Sequence, residues 1–206
     1  MTAAAAPLTL FHSPGSRSQT AVWMLEEIGI PYTPVIVDIR TGAQKAPDYL
    51  AVNPMGKVPA LKDGETIVTE YSAICLYLAD KYAGSRLAPA IDAPERGAFL
   101  RWMVFAGNCI EPAFVQRWTK WEVSPSTVSW GSYDQVIAVL KEAVADNEFL
   151  LGDRFSAADV VVGSGVHFGL SFKLIENQPV LQAYRDRLAA RPAFQRSRAI
   201  DAPPAS

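Results

Sequence analysis

The sequence predicts two domains of different class: an α/β domain built on a small mixed sheet, then an all-helical bundle. Three observations carry that expectation. Short β-branched runs alternate with helical-period runs as far as Tyr82. Between Ala83 and Pro94 the composition shifts to Ala, Gly, Pro and Ser, as in a linker. Beyond Pro94 no strand pattern returns, and apolar residues recur at helical spacing. The expected boundaries are 1–84 for the first domain, 85–93 for the linker and 94–206 for the second.

Each element has a local reason. Leu8 to Phe11 reads as a strand, and Ser18 to Ile28 as a helix with Val22, Leu25 and Ile28 on one stripe. Gly29 stops that helix, and Pro31 lies just beyond. Val35 to Ile39 is β-branched, and Pro34 beside it demotes that strand to an edge. A short helix is expected near Asp48 to Val52. Val58 to Leu61 and Thr66 to Val68 flank Asp63-Gly64, a hairpin signal and hence an antiparallel pair. Ser72 to Tyr82 is helical, with Gly84 as its stop. The order is β-α-β followed by β-β-α, a mixed four-stranded sheet of thioredoxin-like type, because a β-α-β crossover is parallel and right-handed. In the second domain Ala93 to Trp121, Ser126 to Phe149, Ser156 to Leu170 and Pro179 to Ala190 read as helices. Ser156 and Asp159 have the spacing of a capping box, with Phe155 placed to staple onto Val160.

Composition removes several function classes. Half the residues are hydrophobic, so the chain can bury a core and is unlike a disordered segment. The net charge is −2 with no basic run, which argues against a nucleic-acid surface. Met1 to Pro7 lacks the basic and apolar regions of a secretory leader, and no apolar stretch is long enough to span a bilayer. The expectation is a cytoplasmic protein. Cys75 and Cys109 are too far apart for a CxxC pair, and His12 and His167 complete no metal-ligand spacing. Both thiols read as inert core residues, so a reacting sulfur would have to come from outside, and no metal is expected.

Three segments can carry chemistry. The first is Ser13-Pro14-Gly15-Ser16-Arg17-Ser18, where a strand hands over to a helix. A helix N-terminus favours an anion, and a hydroxyl there donates a hydrogen bond without bringing charge. Ser16 is the first candidate, and Ser18 and Arg17 are the alternates. The segment also suits a plainer reading, with Ser18 as N-cap and Ser16 as a turn residue. The second segment is Asn53 to Leu61, NPMGKVPAL. A proline in a strand-like run loses a ladder donor. Either Pro59 is trans at the first position of a strand, or a cis Val58-Pro59 bond turns the backbone of Val58 toward a peptide-like ligand. The third is Thr69 to Tyr82. Here Glu70 can meet an ammonium group, while N–H groups at Tyr71 and Ser72 meet a carboxylate.

In this order and spacing, SPGSRS, NPMGKVPAL, TEYSAICLYLADKY and the later GDRFSAADV resemble the glutathione transferase superfamily over essentially the full length. The resemblance is to serine-type, cytosolic, bacterial-like members. It implies glutathione as co-substrate, a homodimer and a role in detoxification, and it favours a cis Pro59. By position, Ser16 resembles the hydroxyl that stabilises the glutathione thiolate, Val58 and Pro59 the backbone partner of the cysteinyl unit, and Glu70 the contact to the γ-glutamyl group. Lys57 is a candidate for the glycine carboxylate. Two positions depart from the family pattern. Tyr71 stands where a small hydroxyl residue is usual, leaving Ser72 or water to compensate. Thr20 stands where the first helix often carries an Arg.

The implied activity is attack of the thiolate on a small hydrophobic electrophile. That electrophile would lie between the domains, against Phe105, Asn108, Phe114 and Trp118. Helical spacing of Phe114, Trp118 and Trp121 better suits core packing. A glutathione-dependent peroxidase, dehalogenase or isomerase on the same scaffold is an alternative, as is a non-catalytic ligand- or protein-binding module.

Overall fold

The computed structural model describes residues 8–84 and 86–200. The N-terminal stretch read above for a leader, and residue 85 of the linker, lie outside the described residues. Four strands form one mixed sheet in the order β2-β1-β3-β4: β1 is Leu8–His12, β2 Tyr32–Ile36, β3 Ala60–Asp63 and β4 Thr66–Thr69. β1 pairs parallel with β2 and antiparallel with β3, and β3 pairs antiparallel with β4. This is the expected thioredoxin-like arrangement.

The second strand starts three residues earlier than its β-branched run suggested. Pro34 lies inside it, opposite Leu10. An edge strand tolerates this, because the missing donor costs no ladder bond on the open side. The hairpin also shifts by one residue. Asp63 pairs with Thr66, so Gly64-Glu65 are the central turn residues, with Gly64 at φ +58°. Glycine first in a two-residue loop is the II′ pattern, which matches the twist of the strands.

Helix α1, Gln19–Ile28, buries Ala21, Val22, Trp23, Met24, Leu25 and Ile28, each large side chain contributing about 1.5–3 kcal/mol. Gly29 closes it in the left-handed region. After β2 come a 3₁₀ turn and the short α2, Pro47–Leu50. Helix α3, Tyr71–Tyr82, follows β4 and buries Ile74, Cys75 and Leu78.

The helical region comprises α4 (Arg96–Phe105), α5 (Glu111–Thr119), α6 (Tyr133–Ala145), α7 (Ala157–Ser171) and α8 (Pro179–Ala189), followed by α9 (Pro192–Ile200). The single helix expected over 93–121 is interrupted by a π-helical turn, Ala106–Ile110. Pro112 has no N–H for the carbonyl of Asn108 four residues back, and that carbonyl accepts from Ser129 Oγ at 3.3 Å instead. Helix α6 starts later than expected because Ser132 caps it, accepting from Gln135 N–H.

The backbone falls into two compact units. Among the described residues, one comprises 8–78 with 192–200, the other 79–191. This division differs from the expected one at the C-terminal side. Helix α9, which no sequence signal singled out, packs on α1: Trp23 meets Phe194 edge-on, Arg196 bonds Glu26, and Gln19 Nε2 donates to Ser197 O. Among the described residues no helix is long and apolar enough to cross a membrane.

In the helical unit the capping box at α7 is present. Asp159 is fully buried and accepts from Leu150 N–H, Ser156 N–H and Tyr184 O–H, all at 2.9 Å, and from Ser156 Oγ at 3.2 Å. Burial pushes this carboxyl up and the four donors oppose it, leaving it above the ordinary carboxylate range. Phe155 stacks edge-on against Phe149 and lies 3.5 Å from the Arg191 guanidinium.

Candidate functional site

The register of the sheet brings the three sequence-selected segments to one end. Phe11 on β1 is opposite Ala60 on β3, and Ala60 is opposite Thr69 on β4. Neighbouring strands lie about 4.8 Å apart. Residues 13–18 leave β1, residues 57–59 enter β3 and residues 70–72 leave β4, all within a few positions of that row.

At the first segment Ser13, Pro14, Gly15 and Ser16 form a turn closed by Ser16 N–H to Ser13 O at 3.2 Å. Proline second and glycine third at φ +71° is the type II pattern, which a side chain at Gly15 would strain. Ser18 precedes α1 in right-handed backbone and its side chain makes no capping hydrogen bond to the helix, which removes the plainer reading of it as a side-chain cap. Its side chain points inward instead. It is wholly buried, with Oγ 2.7 Å from His12 Nδ1 and 2.6 Å from Ser16 Oγ, and it accepts from Ser13 N–H at 3.0 Å. Ser16 is only half-buried. Its Oγ accepts from Ser18 N–H at 3.2 Å and lies 2.7 Å from Ser13 O. Arg17 between them is half-buried.

The second segment is a built loop. Gly56 N–H returns to Asn53 O at 2.8 Å, and Asn53 Oδ1 accepts from Met55 N–H. Gly56 sits at φ +58°, and a Cβ there would come 2.8 Å from Gln44 O and Lys45 Nζ, so only glycine fits. The Lys57 carbonyl is held by Tyr49 O–H at 2.6 Å and Asn53 Nδ2 at 2.8 Å. Burial pushes the Tyr49 phenol up to about 12, which keeps it a donor. The Val58-Pro59 bond is cis. Among the described residues neither N–H nor C=O of Val58 has a hydrogen-bond partner. The side chain of Lys57 is exposed.

At the third segment Glu70 stands in front of α3 at φ +66°, uncommon for a residue with a Cβ. Its side chain is exposed, and its carbonyl accepts from Ile74 N–H at 2.9 Å. Tyr71 and Ser72 open the helix half-buried. Ser72 Oγ is buried with no partner among the described residues, an arrangement that costs about 1–3 kcal/mol unless something fills it.

The same end carries a feature the sequence reading missed. Ser13, Pro14, Ile36, Asp38, Ile39 and Arg40 line a pocket of about 230 Å³. Ile36 to Ile39 belong to the run expected as strand; the turn-forming Asp38 to Gly42 run was the available signal. The four residues proposed for an electrophile wall do not converge. Phe114 is 2% exposed and lies where a Cβ on Gly169 would touch its ring, so it belongs to the core. Trp118 is 78% exposed, and Asn108 is also exposed. Phe105 lines a separate pocket of about 280 Å³ with Cys109 and Trp130. Cys75 is a buried thiol pushed up by burial. Cys109 is only half-buried, raised by burial against the opposing charge of Arg101. Among the described residues no His, Cys, Asp and Glu cluster could hold a metal.

Comparison with known proteins is consistent along the chain. The family model for the glutathione S-transferase N-terminal domain matches residues 15–81, and that for the C-terminal domain matches residues 131–192. Glutathione S-transferase 3 of Zea mays is 32% identical, covering 97% of this chain and 97% of its own. The glutathione transferase URE2P8 of Phanerochaete chrysosporium, solved with oxidized glutathione, superposes with a TM-score of 0.80 at 26% identity, over 98% of this chain and 97% of that one. The theta-class enzyme of Xanthomonas axonopodis pv. citri, solved with glutathione bound, gives 0.74 at 30% identity over 93% and 97%. With sheet order, domain pair and full-length relatives in agreement, the chain belongs to the glutathione S-transferase family and is a glutathione transferase.

Proposed function

We propose that glutathione lies along the row formed by the ends of β1, β3 and β4, with its sulfur held as thiolate at Ser16 Oγ for attack on a small hydrophobic electrophile. One observation carries this reading. Two hydroxyls lie 2.6 Å apart at the head of α1, and only that of Ser16 comes from a residue reaching the surface, Ser18 being wholly buried. The unpaired N–H and C=O of Val58 suit the cysteinyl backbone, as an added strand would. Glu70 meets the γ-glutamyl ammonium, while the head of α3 and the unpartnered Ser72 Oγ receive its carboxylate. Lys57 faces the glycine carboxylate.

A free thiol has a pKa near 8.5 and is only a few per cent ionised at neutral pH. Depressing it by one or two units, roughly 1.4 kcal/mol each, makes the thiolate a major species. A hydroxyl donor and the positive end of α1 are adequate sources of that magnitude. The test is ultraviolet titration of the bound thiolate. Ser16→Ala is expected to fold normally, raise the midpoint by about one unit or more, and cut turnover with an activated aryl halide about tenfold to a hundredfold. An unchanged midpoint would remove Ser16 from the chemistry.

A further inference from the structure

Behind Ser16 lies a line of polar groups with no contact to solvent. His12 and Ser18 are both 0% exposed. His12 Nδ1 is 2.7 Å from Ser18 Oγ, which is 2.6 Å from Ser16 Oγ. Two of the four lone pairs on these hydroxyls are filled by fixed donors: Ser13 N–H gives to Ser18 Oγ at 3.0 Å, and Ser18 N–H gives to Ser16 Oγ at 3.2 Å. Each hydroxyl then has one lone pair and one hydrogen left to place.

Ser18 Oγ also lies 3.1 Å from Ser13 O, but a Ser18 hydrogen placed there leaves one of the two shorter contacts, to His12 or to Ser16, without a hydrogen. Two arrangements fill both shorter contacts. With a lone pair on His12 Nδ1, Ser18 donates to His12 and Ser16 donates to Ser18. The Ser16 hydrogen is then spent inside the protein. With a hydrogen on His12 Nδ1, the line runs the other way. His12 donates to Ser18, Ser18 donates to Ser16, and the Ser16 hydrogen is left for an acceptor outside the pair. Within the chain that acceptor is Ser13 O at 2.7 Å. Ser13 O also receives Ser16 N–H at 3.2 Å, so it keeps a partner when the hydroxyl turns away.

Resting on the reading of Ser16 as the thiolate partner, the geometry points to His12 and Ser18 as positioning residues that aim the Ser16 hydroxyl outward. The line is His12 Nδ1–H to Ser18 Oγ, Ser18 O–H to Ser16 Oγ, and Ser16 O–H to the sulfur. No proton is transferred, since every hydrogen stays on its own heavy atom. Each donor polarises the next, which strengthens the terminal hydrogen bond.

Two measurements on the full chain test this. The chain has only two histidines, His12 and His167, so ¹⁵N-histidine spectra at saturating glutathione are assigned by comparison with His167→Gln. The expected result is a hydrogen on His12 Nδ1; a hydrogen on Nε2 alone overturns the proposal. The second measurement is the thiolate titration in Ser18→Ala and Ser18→Thr. Ser18→Ala is expected to raise the midpoint by about half a unit to one unit, a threefold to tenfold loss of thiolate and of kcat at neutral pH, with KM for glutathione within about twofold of the parent. Ser18→Thr keeps the hydroxyl in a tight site, so its midpoint returns to that of the parent even where its melting temperature falls. Equal shifts in both variants would assign the effect to packing and overturn the donor line. A shift in Ser16→Ala without one in Ser18→Ala removes the line and leaves Ser16 in place, whereas no shift in Ser16→Ala removes the reading on which it rests. If Ser18→Ala does not fold, the histidine spectrum and Ser18→Thr decide alone.

Discussion

Of the helices that open on serine, α1 and α7 use it in opposite ways. At α7, Ser156 accepts from its own helix at Ala158 N–H and is locked to Asp159, whose carboxylate takes four donors in all. Every polar group there is consumed by the fold. At α1, the Ser18 side chain makes no bond to its helix and turns back into the protein, while Ser16 in front of it stays half-buried. A hydroxyl spent on its own helix is a folding device. One held in place by its neighbours, with its hydrogen on a carbonyl that keeps a second donor, can turn to a ligand.

The comparison breaks most sharply at Asp159. Asp159→Ala leaves Leu150 N–H, Ser156 N–H and Tyr184 O–H without their buried acceptor, and a loss of about 3–5 kcal/mol in unfolding free energy is expected from denaturant titration. A loss under about 1 kcal/mol would mean that the box is not a stability element. Next comes the crossed serine pair. Ser16→Ala should move the thiolate midpoint and barely change the melting temperature. Ser156→Ala should cost about 1 kcal/mol of stability and leave the midpoint where it was. If both variants behave alike, the distinction drawn above has no content.

A smaller effect tests the strained residue at α3. Glu70→Gly relieves a left-handed backbone, so stability is expected to hold or rise by up to about 1 kcal/mol while KM for glutathione climbs several-fold. Unaltered KM would take Glu70 out of the binding row. The smallest change is Tyr49→Phe. It removes one of two hydrogen bonds to the Lys57 carbonyl and should cost about 1 kcal/mol in stability with a modest rise in KM. Isothermal titration with glutathione separates the two contributions.

Much of the architecture was legible because local chemistry and tertiary context agreed. Gly29, the hairpin glycine and the Ser156–Asp159 spacing each act over four residues or fewer, so sequence spacing reports them directly. The segments of the site were legible for the same reason: each is a turn or a helix start with its own composition. Their convergence was not. It depends on strand register, with Phe11, Ala60 and Thr69 in one row, and register is set by which face is buried rather than by any one segment. The break in the long helix escaped because Pro112 was read within a continuous apolar stripe, although its missing N–H frees a carbonyl four residues back. Phe114 shows the limit of periodicity. A helical stripe marks a face, and whether that face meets solvent or Gly169 depends on the other helix.

The seating of α9 on α1 has a consequence for the order of events during synthesis. The stretch that carries Phe194, Arg196 and Ser197 is made only after residues 79–191 have been added. Until then Trp23 and Glu26 lack the neighbours that cover and pair with them in the finished chain. The sheet-bearing unit therefore cannot be completed while its own stretch of messenger is being read, and must wait, partly uncovered, for the far end of the reading frame. An excised 1–84 fragment would be caught permanently in that unfinished state.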